Sequence, residues 1–200
     1  MTKKTTTEFD EATHTYRIGG FVCPSVTQII GDLLPGFKAD PWYLERGSAN
    51  HSCYQMLALG QEFTPDERSQ PNIDAWHLWQ KSMMPFTFKQ VEMQVFSKKY
   101  MFAGTLDAII EKDGELLIID YKESLSYSDC YQLGAYSIAL KEYGIKVKKG
   151  FGVGLSKGKC KMSEVYDLNV YGQKFLTLLS AYNIRVEHGK TEQQQTGAKK

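Results

Sequence analysis

Two aspartates and a lysine carry the first chemical signal in this chain. Asp107, Asp120 and Lys122 lie in one stretch, residues 104–122, centred on Asp113-Gly114. Asp-Gly is a strong two-residue hairpin signal. With those two at the turn, Lys112 faces Glu115, Ile109 faces Ile118, and Asp107 falls opposite Asp120. Lys122 then shares the face of Asp120, diagonal to Asp107. Ile109, Leu116 and Ile118 fill one face of the hairpin, and Ile110, Leu117 and Ile119 the other. Such strands belong inside a sheet covered on both sides. Two carboxylates opposed at roughly 5 Å between Cβ atoms repel one another, and burial raises the cost. A divalent cation offsets it, and Mg²⁺ or Mn²⁺ prefers such hard oxygen ligands. Acid, acid and base on one patch would equip metal-assisted phosphodiester hydrolysis, the lysine orienting or helping to deprotonate a water. The alternative is a hairpin whose ends emerge into solvent, both aspartates being exposed strand-end charges.

The elements that must position this patch are legible from punctuation and periodicity. Residues 15–18 and 21–23 flank Gly19-Gly20 and read as a hairpin. Pro24 stops the pairing, and Ser25 caps a helix to about residue 34. Asp40-Pro41 opens a helix to about residue 59, ended by Gly60, and a third covers 72–83. Extended runs follow at 88–96, 101–111 and 115–122, then a helix over 128–143 stopped by Gly144. Strands near 147–155 and 160–166 precede a last helix over 170–187. The fold class is α/β, with a mixed, largely antiparallel sheet of about five strands flanked by helices. If Lys98-Lys99 form a turn, Glu92 faces Thr105, on the side of Asp107. Residues 1–188 read as one domain, with the hairpin and helices in 14–84 and a core in 88–188. Residues 189–200, rich in Gln, Thr and Lys, read as a disordered tail.

Composition sets limits on function. Of 200 residues, 24 are Lys or Arg and 23 Asp or Glu, a net charge of +1, which argues against a bulk-charge nucleic-acid binder. Seven lysines against one acid, Glu142, between positions 141 and 161 leave room for a local basic face. No apolar run is long enough to span a membrane and no secretory signal opens the chain, so a cytoplasmic location is expected. Cysteines 23, 53, 130 and 160 lack zinc-knuckle or disulfide-framework spacing, so reduced thiols and no zinc site are expected. Phosphate loops of Walker type, zinc helices and nucleophile elbows are absent from the sequence.

Asp107 followed by Asp120-Tyr-Lys122 resembles the Asp…Asp/Glu-X-Lys signature of the PD-(D/E)XK nuclease superfamily. Further segments resemble its phage RecB-like exonuclease branch: Pro24-Ser-Val-Thr27, Arg46-Gly-Ser-Ala-Asn-His51, Glu92, and Gln132-Leu-Gly-Ala-Tyr136. The resemblance runs from about residue 14 to 140. It implies a restriction-endonuclease-like core and a Mg²⁺-dependent deoxyribonuclease, Mn²⁺ being an acceptable substitute. Asp107, Asp120, the Tyr121 backbone carbonyl and His51 would hold metal, with Glu92 a further acid, and Lys122 would serve the attacking water. Gln132 and Tyr136 would contact DNA or brace the site, with Ser25, Thr27 and Arg46 on the substrate. An exonuclease of recombination, repair or replication is favoured. The alternatives are a structure-specific endonuclease and a noncatalytic nucleic-acid-binding module. DNA is the expected partner, with a single-strand annealing or binding protein as a second by analogy; for a phage-encoded chain the compartment is the host cytoplasm. Relatives with an iron–sulfur cluster use three clustered C-terminal cysteines, whereas Cys160 stands alone there, so no cluster is expected. One departure is Glu123 where many relatives carry Thr; strand alternation would turn it away from the site.

Overall fold

The computed structural model describes residues 5–34 and 41–197, the side chains of 41–48 and 190–197 lying outside that description. Three short strands come first, β1 (Thr7–Asp10), β2 (Thr15–Ile18) and β3 (Phe21–Cys23), in an antiparallel sheet. Gly19 and Gly20 both take positive φ, 59° and 84°, the turn that the Gly pair predicts. The sequence reading has no β1; Phe9 joins through its ring, stacked on Tyr16 at 4.6 Å. Ser25 caps α1 (Val26–Leu33), its hydroxyl accepting the Gln28 N–H at 3.0 Å. The next helix, α2 (Pro41–Ala58), stops before Gly60, and its expected cap Asp40 lies outside the described residues. A 3-10 turn, Glu67–Ser69, then leads into α3 (Gln70–Met83).

The main sheet holds β4 (Thr87–Ser97), β5 (Phe102–Lys112), β6 (Glu115–Lys122), β7 (Lys149–Ser156), β8 (Lys159–Met162) and β9 (Tyr166–Asp167). Their order is β4-β5-β6-β7-β8, with β9 beside the start of β7. Six strands replace the expected five or so because the run over 160–166 divides, β8 pairing the end of β7 and β9 its beginning. The chain crosses from β6 to β7 through α4 (Asp129–Glu142), and this pair is the parallel one that makes the sheet mixed. The last helix, α5 (Leu168–Gly197), continues beyond residue 187. The tail expected from composition is therefore helical backbone as far as Gly197; its Gln, Glu and Lys residues are good helix formers.

Both faces of the sheet are covered, as the two apolar faces of the β5–β6 hairpin require. Ile109 and Ile118 join Leu133, Leu140, Phe175 and α1 on one side. Ile110, Leu117 and Ile119 meet Trp76, Trp79 and Tyr54 from α3 and α2 on the other. No helix among the described residues is long and apolar enough to cross a membrane.

Packing of α4 on α5 depends on Gly134. A Cβ there would lie 2.5 Å from the backbone of Tyr171 and Gly172. A helix-interior Gly→Ala change ordinarily gains about 1 kcal/mol in propensity. Here overpacking of about 1–3 kcal/mol opposes it, because backbone, unlike a side-chain tip, cannot swing aside. Gly134→Ala is expected to lower the urea midpoint and the Tm. An unchanged or raised midpoint would show that α4 and α5 can part freely.

Candidate active site

The hairpin register read from Asp113-Gly114 holds from Lys112↔Glu115 to Ala108↔Ile119. Asp113 and Gly114 take φ 51° and 77°. One step beyond, where Asp107 would meet Asp120, the ladder stops. β6 remains paired to β7 through Lys122↔Gly154 while it separates from β5. Asp107 fills the opening: its Oδ2 accepts the Tyr121 N–H at 2.6 Å. The N–H and C=O of one strand residue point to the same edge, so the Tyr121 carbonyl also faces the β5 side. Both aspartates are buried, 6% and 1% exposed, which removes the reading of solvent-exposed strand ends.

His51 comes from α2, its Nδ1 3.3 Å from Asp107 Oδ1. Glu92 comes from β4, at positive φ (49°) between the pairs Val91↔Ala108 and Met93↔Leu106. That places it across from Asp107, not Thr105, whose partner is Gln94. The expected Lys98-Lys99 turn is instead a four-residue connection, residues 98–101, closed by Ser97↔Phe102, with Met101 at φ 57°. The shift is two residues, so the expected side of the sheet is kept. A non-Gly residue in the left-handed region is strained, here beside three other ionisable groups. One ligand atom each from His51, Glu92 and Asp107 fits within 4.8 Å of the others.

Asp120 and Lys122 form the second half of the patch. Lys122 Nζ lies 2.7 Å from Asp120 Oδ2 and donates to Gln132 Oε1 at 3.0 Å. Gln132 Nε2 donates to Asp120 Oδ1 at 3.0 Å and to the Tyr136 hydroxyl at 2.9 Å. Asp120 Oδ2 is buried, and beyond its contact with the Lys122 ammonium it has no hydrogen-bond partner, leaving one lone pair open. The donor set of carboxylate oxygens and one imidazole, with that open oxygen, fits a hard divalent cation.

Of the two roles expected for Gln132 and Tyr136, DNA contact or bracing, their hydrogen bonds match the second. Both are buried, and the polar atoms of the amide are used on Asp120, Lys122 and Tyr136. Tyr136 fits because β5 carries Gly104 beneath it, where a Cβ would lie 2.9 Å from the ring. Ser25 and Thr27 share a hydroxyl contact at 3.2 Å, and Ser25 also caps α1. Arg46 lies outside the described side chains. Glu123 is exposed just past the end of β6, so strand alternation no longer governs it.

Asp129 is a site neighbour that the sequence reading missed. Its Oδ2 accepts the Ser126 N–H at 2.7 Å, shaping the loop after Lys122, and its charge acts on both Lys122 and Asp120. The Ser126-X-X-Asp129 spacing, a capping-box pattern, is the signal that points to it. Tyr16 is another: its hydroxyl meets Thr105 Oγ1 at 3.0 Å, tying the N-terminal sheet to the strand of Asp107.

The electrostatics follow from burial and pairing. Asp107 pushes His51 up to about 9 against the opposing effect of burial. Burial, then the charge of Asp107, pushes Glu92 up to about 7. For Asp107 burial acts upward, but His51, Lys122 and the Tyr121 N–H outweigh it and hold the carboxyl below its ordinary value. Burial raises Asp120 against the pull of Lys122. Burial alone would depress Lys122, yet Asp120 and Asp107 hold it above its ordinary value, an ammonium at neutral pH.

A mixed six-stranded sheet between helix layers, with Asp107 and Asp120-Tyr-Lys122 meeting where two central strands part, is the arrangement of one nuclease class. A family model of the PD-(D/E)XK nuclease superfamily matches residues 43–191, and the chain belongs to that superfamily. It is similar to the gene 69 protein of Mycobacterium phage D29, 38% identical over 79 residues, 37% of this chain and 29% of that one. The match thus spans less than a third of that relative's length. Among solved structures, the crystal structure of SSO0001 aligns over 80% of this chain and 83% of that chain, with a TM-score of 0.40 and 17% identity.

A cation held by these residues must displace their protons, because metal binds neutral imidazole and ionised carboxylate. His51 and Glu92 both retain protons at pH values where unperturbed groups would have lost them. Apparent Mn²⁺ affinity is therefore expected to rise with pH through about 7 to 9, with proton release seen by calorimetry in buffers of different ionisation enthalpy. A pH-independent affinity without proton release would remove His51 and Glu92 from the ligand set.

Proposed function

We propose that this chain is a Mg²⁺-dependent deoxyribonuclease that acts as an exonuclease in a phage-type recombination, repair or replication pathway. The observation that supports this most is the meeting of half-buried His51, Glu92 and Lys122 with buried Asp107 and Asp120 where β5 and β6 separate. Burying two carboxylates beside a third that is half-buried has a large electrostatic cost, and a cation-dependent reaction on an anionic substrate gives that cost a purpose. Asp107, Asp120, His51 and the Tyr121 carbonyl would hold the metal, with Glu92 completing the set as it loses its proton. A bound divalent cation would neutralise phosphate charge and acidify a water.

Lys122 is held as an ammonium, so its role is to orient the attacking water and a phosphate oxygen by donating hydrogen bonds, not to remove a proton. Gln132 and Tyr136 keep Asp120 and Lys122 in place from beneath. The preference for an exonuclease rests on the likeness of the 24–27, 46–51 and 132–136 segments to the RecB-like phage branch. In the structure two of these supply His51 and the Gln132 brace.

Degradation of linear and closed circular duplex DNA with Mg²⁺, using 5′- and 3′-labelled ends, tests the proposal. Linear DNA is expected to be consumed from an end while the closed circle survives. Lys122→Ala and Asp107→Asn, shown folded by thermal melting, are expected to lose about 10²-fold or more in rate. Equal attack on the circle would replace the exonuclease with an endonuclease. No cleavage with any divalent metal would leave the noncatalytic binding module, and a fully active Lys122→Ala protein would overturn the catalytic assignment of this patch.

A further inference from the structure

The sheet sorts the lysines between positions 141 and 161 into two groups. Lys141, Lys146, Lys148 and Lys149 lie at or before the start of β7, the end remote from Lys122. Two of them are engaged there, Lys149 with Glu115 and Lys141 with Asn169. Lys157, Lys159 and Lys161 lie on the β7–β8 hairpin, towards the end of β7 that pairs with Lys122. All three are exposed, and none forms an ion pair with a described residue.

The registers place this hairpin beside the proposed catalytic patch. Lys122 pairs with Gly154, and Gly154 pairs with Lys161. Residues on one rung point to one face, so Lys161 shares the face of Asp120 and Lys122, two strand spacings away, about 10 Å. Lys159 follows on the same face, nearer the turn. The intervening β7 presents Gly152 and Gly154 there, and Leu125 lies over them, within 2.8 and 3.3 Å of where their Cβ atoms would be. A low apolar floor thus separates the Lys122 ammonium from a second basic rim. Ligands of open α/β sheets collect at the carboxyl ends of parallel strands, which is where this rim stands. Lys157 is held at φ 52° in the two-residue turn, where Gly or Asn would relieve the strain.

We propose that the β7–β8 hairpin is a phosphate rail: Lys159 and Lys161 bind the nucleic-acid backbone beside the phosphate that Lys122 serves. This rests on the nuclease reading for its location and not for its measurement. Lysine is suited to such a contact, a point charge on a flexible stem that takes any sequence. The competing role of edge-strand lysines is to block strand-to-strand association, and that role leaves nucleic-acid affinity untouched.

The test is equilibrium binding of a fluorescein-labelled linear duplex with a single-stranded overhang, with Ca²⁺ in place of Mg²⁺, across a salt series. Lys159→Ala/Lys161→Ala and its Glu/Glu counterpart are compared with Lys146→Ala/Lys148→Ala at the remote end. The rail variants are expected to weaken binding about 10-fold at moderate salt. They should lower the slope of log K against log salt by about 1–2, roughly 0.7–0.9 per lost phosphate contact. Hydrolysis of bis(p-nitrophenyl) phosphate, too small to reach the rail, should be unchanged in them. Wild-type affinity and slope in both rail variants, or an equal loss in the remote pair, overturns the rail. A rail-dependent slope in a protein that cleaves no DNA leaves the rail standing and removes the nuclease reading.

Discussion

Everything near the centre of this molecule answers to one electrostatic constraint: carboxylates gathered where water is largely excluded. Asp107 and Asp120 are less than a tenth exposed, and Glu92 joins them from the neighbouring strand. In such surroundings each charge must be matched or lost to protonation. The protein uses both routes. Asp107 is matched by His51 and a backbone N–H, Asp120 by Lys122 and an amide, and Glu92 keeps its proton to about pH 7. Without metal the patch is therefore balanced, and its side chains are held in place by their own hydrogen bonds and ion pairs.

That balance dictates the secondary structure around it. β6 leaves β5 after Ile119, where continued pairing would oppose the two aspartates directly, and stays paired to β7. The parallel pairing requires a crossover, and the crossover helix α4 supplies Gln132 and Tyr136. Small residues let that helix come close: Gly104 under Tyr136 and Gly134 against α5. Glu142 at the far end of α4 accepts from the Lys98 N–H and the Ser97 hydroxyl in the β4–β5 connection. The same helix thus anchors both strands that carry Glu92 and Asp107.

Much of this was legible where a local rule had a single outcome. Asp113-Gly114 left one register for β5 and β6, and the fold follows it to the last pair before the site. Ser25, Gly60 and Gly144 marked helix boundaries through capping and positive φ. The Lys98-Lys99 turn misled because neither residue favours a tight turn, and a four-residue connection satisfies the same strands. The division of 160–166 into β8 and β9 was hidden, since both pair with β7 and neither carries a strong turn signal of its own. The bracing role of Gln132 depends on a contact between α4 and β6 that no periodicity encodes. Its spacing to Tyr136 showed a shared helical face, not which way the face looked.

Gln132 also shows why a neutral residue stands among so many charges. Its site asks for two donated bonds, to Asp120 and Tyr136, and one accepted bond, from Lys122. An amide meets all three. Glutamate would accept from Lys122 but bring another carboxylate against Asp120, raising the repulsion that the site already works to contain. Leucine would leave Tyr136 and one Asp120 oxygen without partners in a buried place, at about 1–3 kcal/mol for each orphaned group. Lysine would add a cation able to compete with Lys122 for Asp120. The near-neutral composition of the chain is thus repeated at the scale of the site, where net charge is held down by an amide, the proton that Glu92 retains and two close ion pairs.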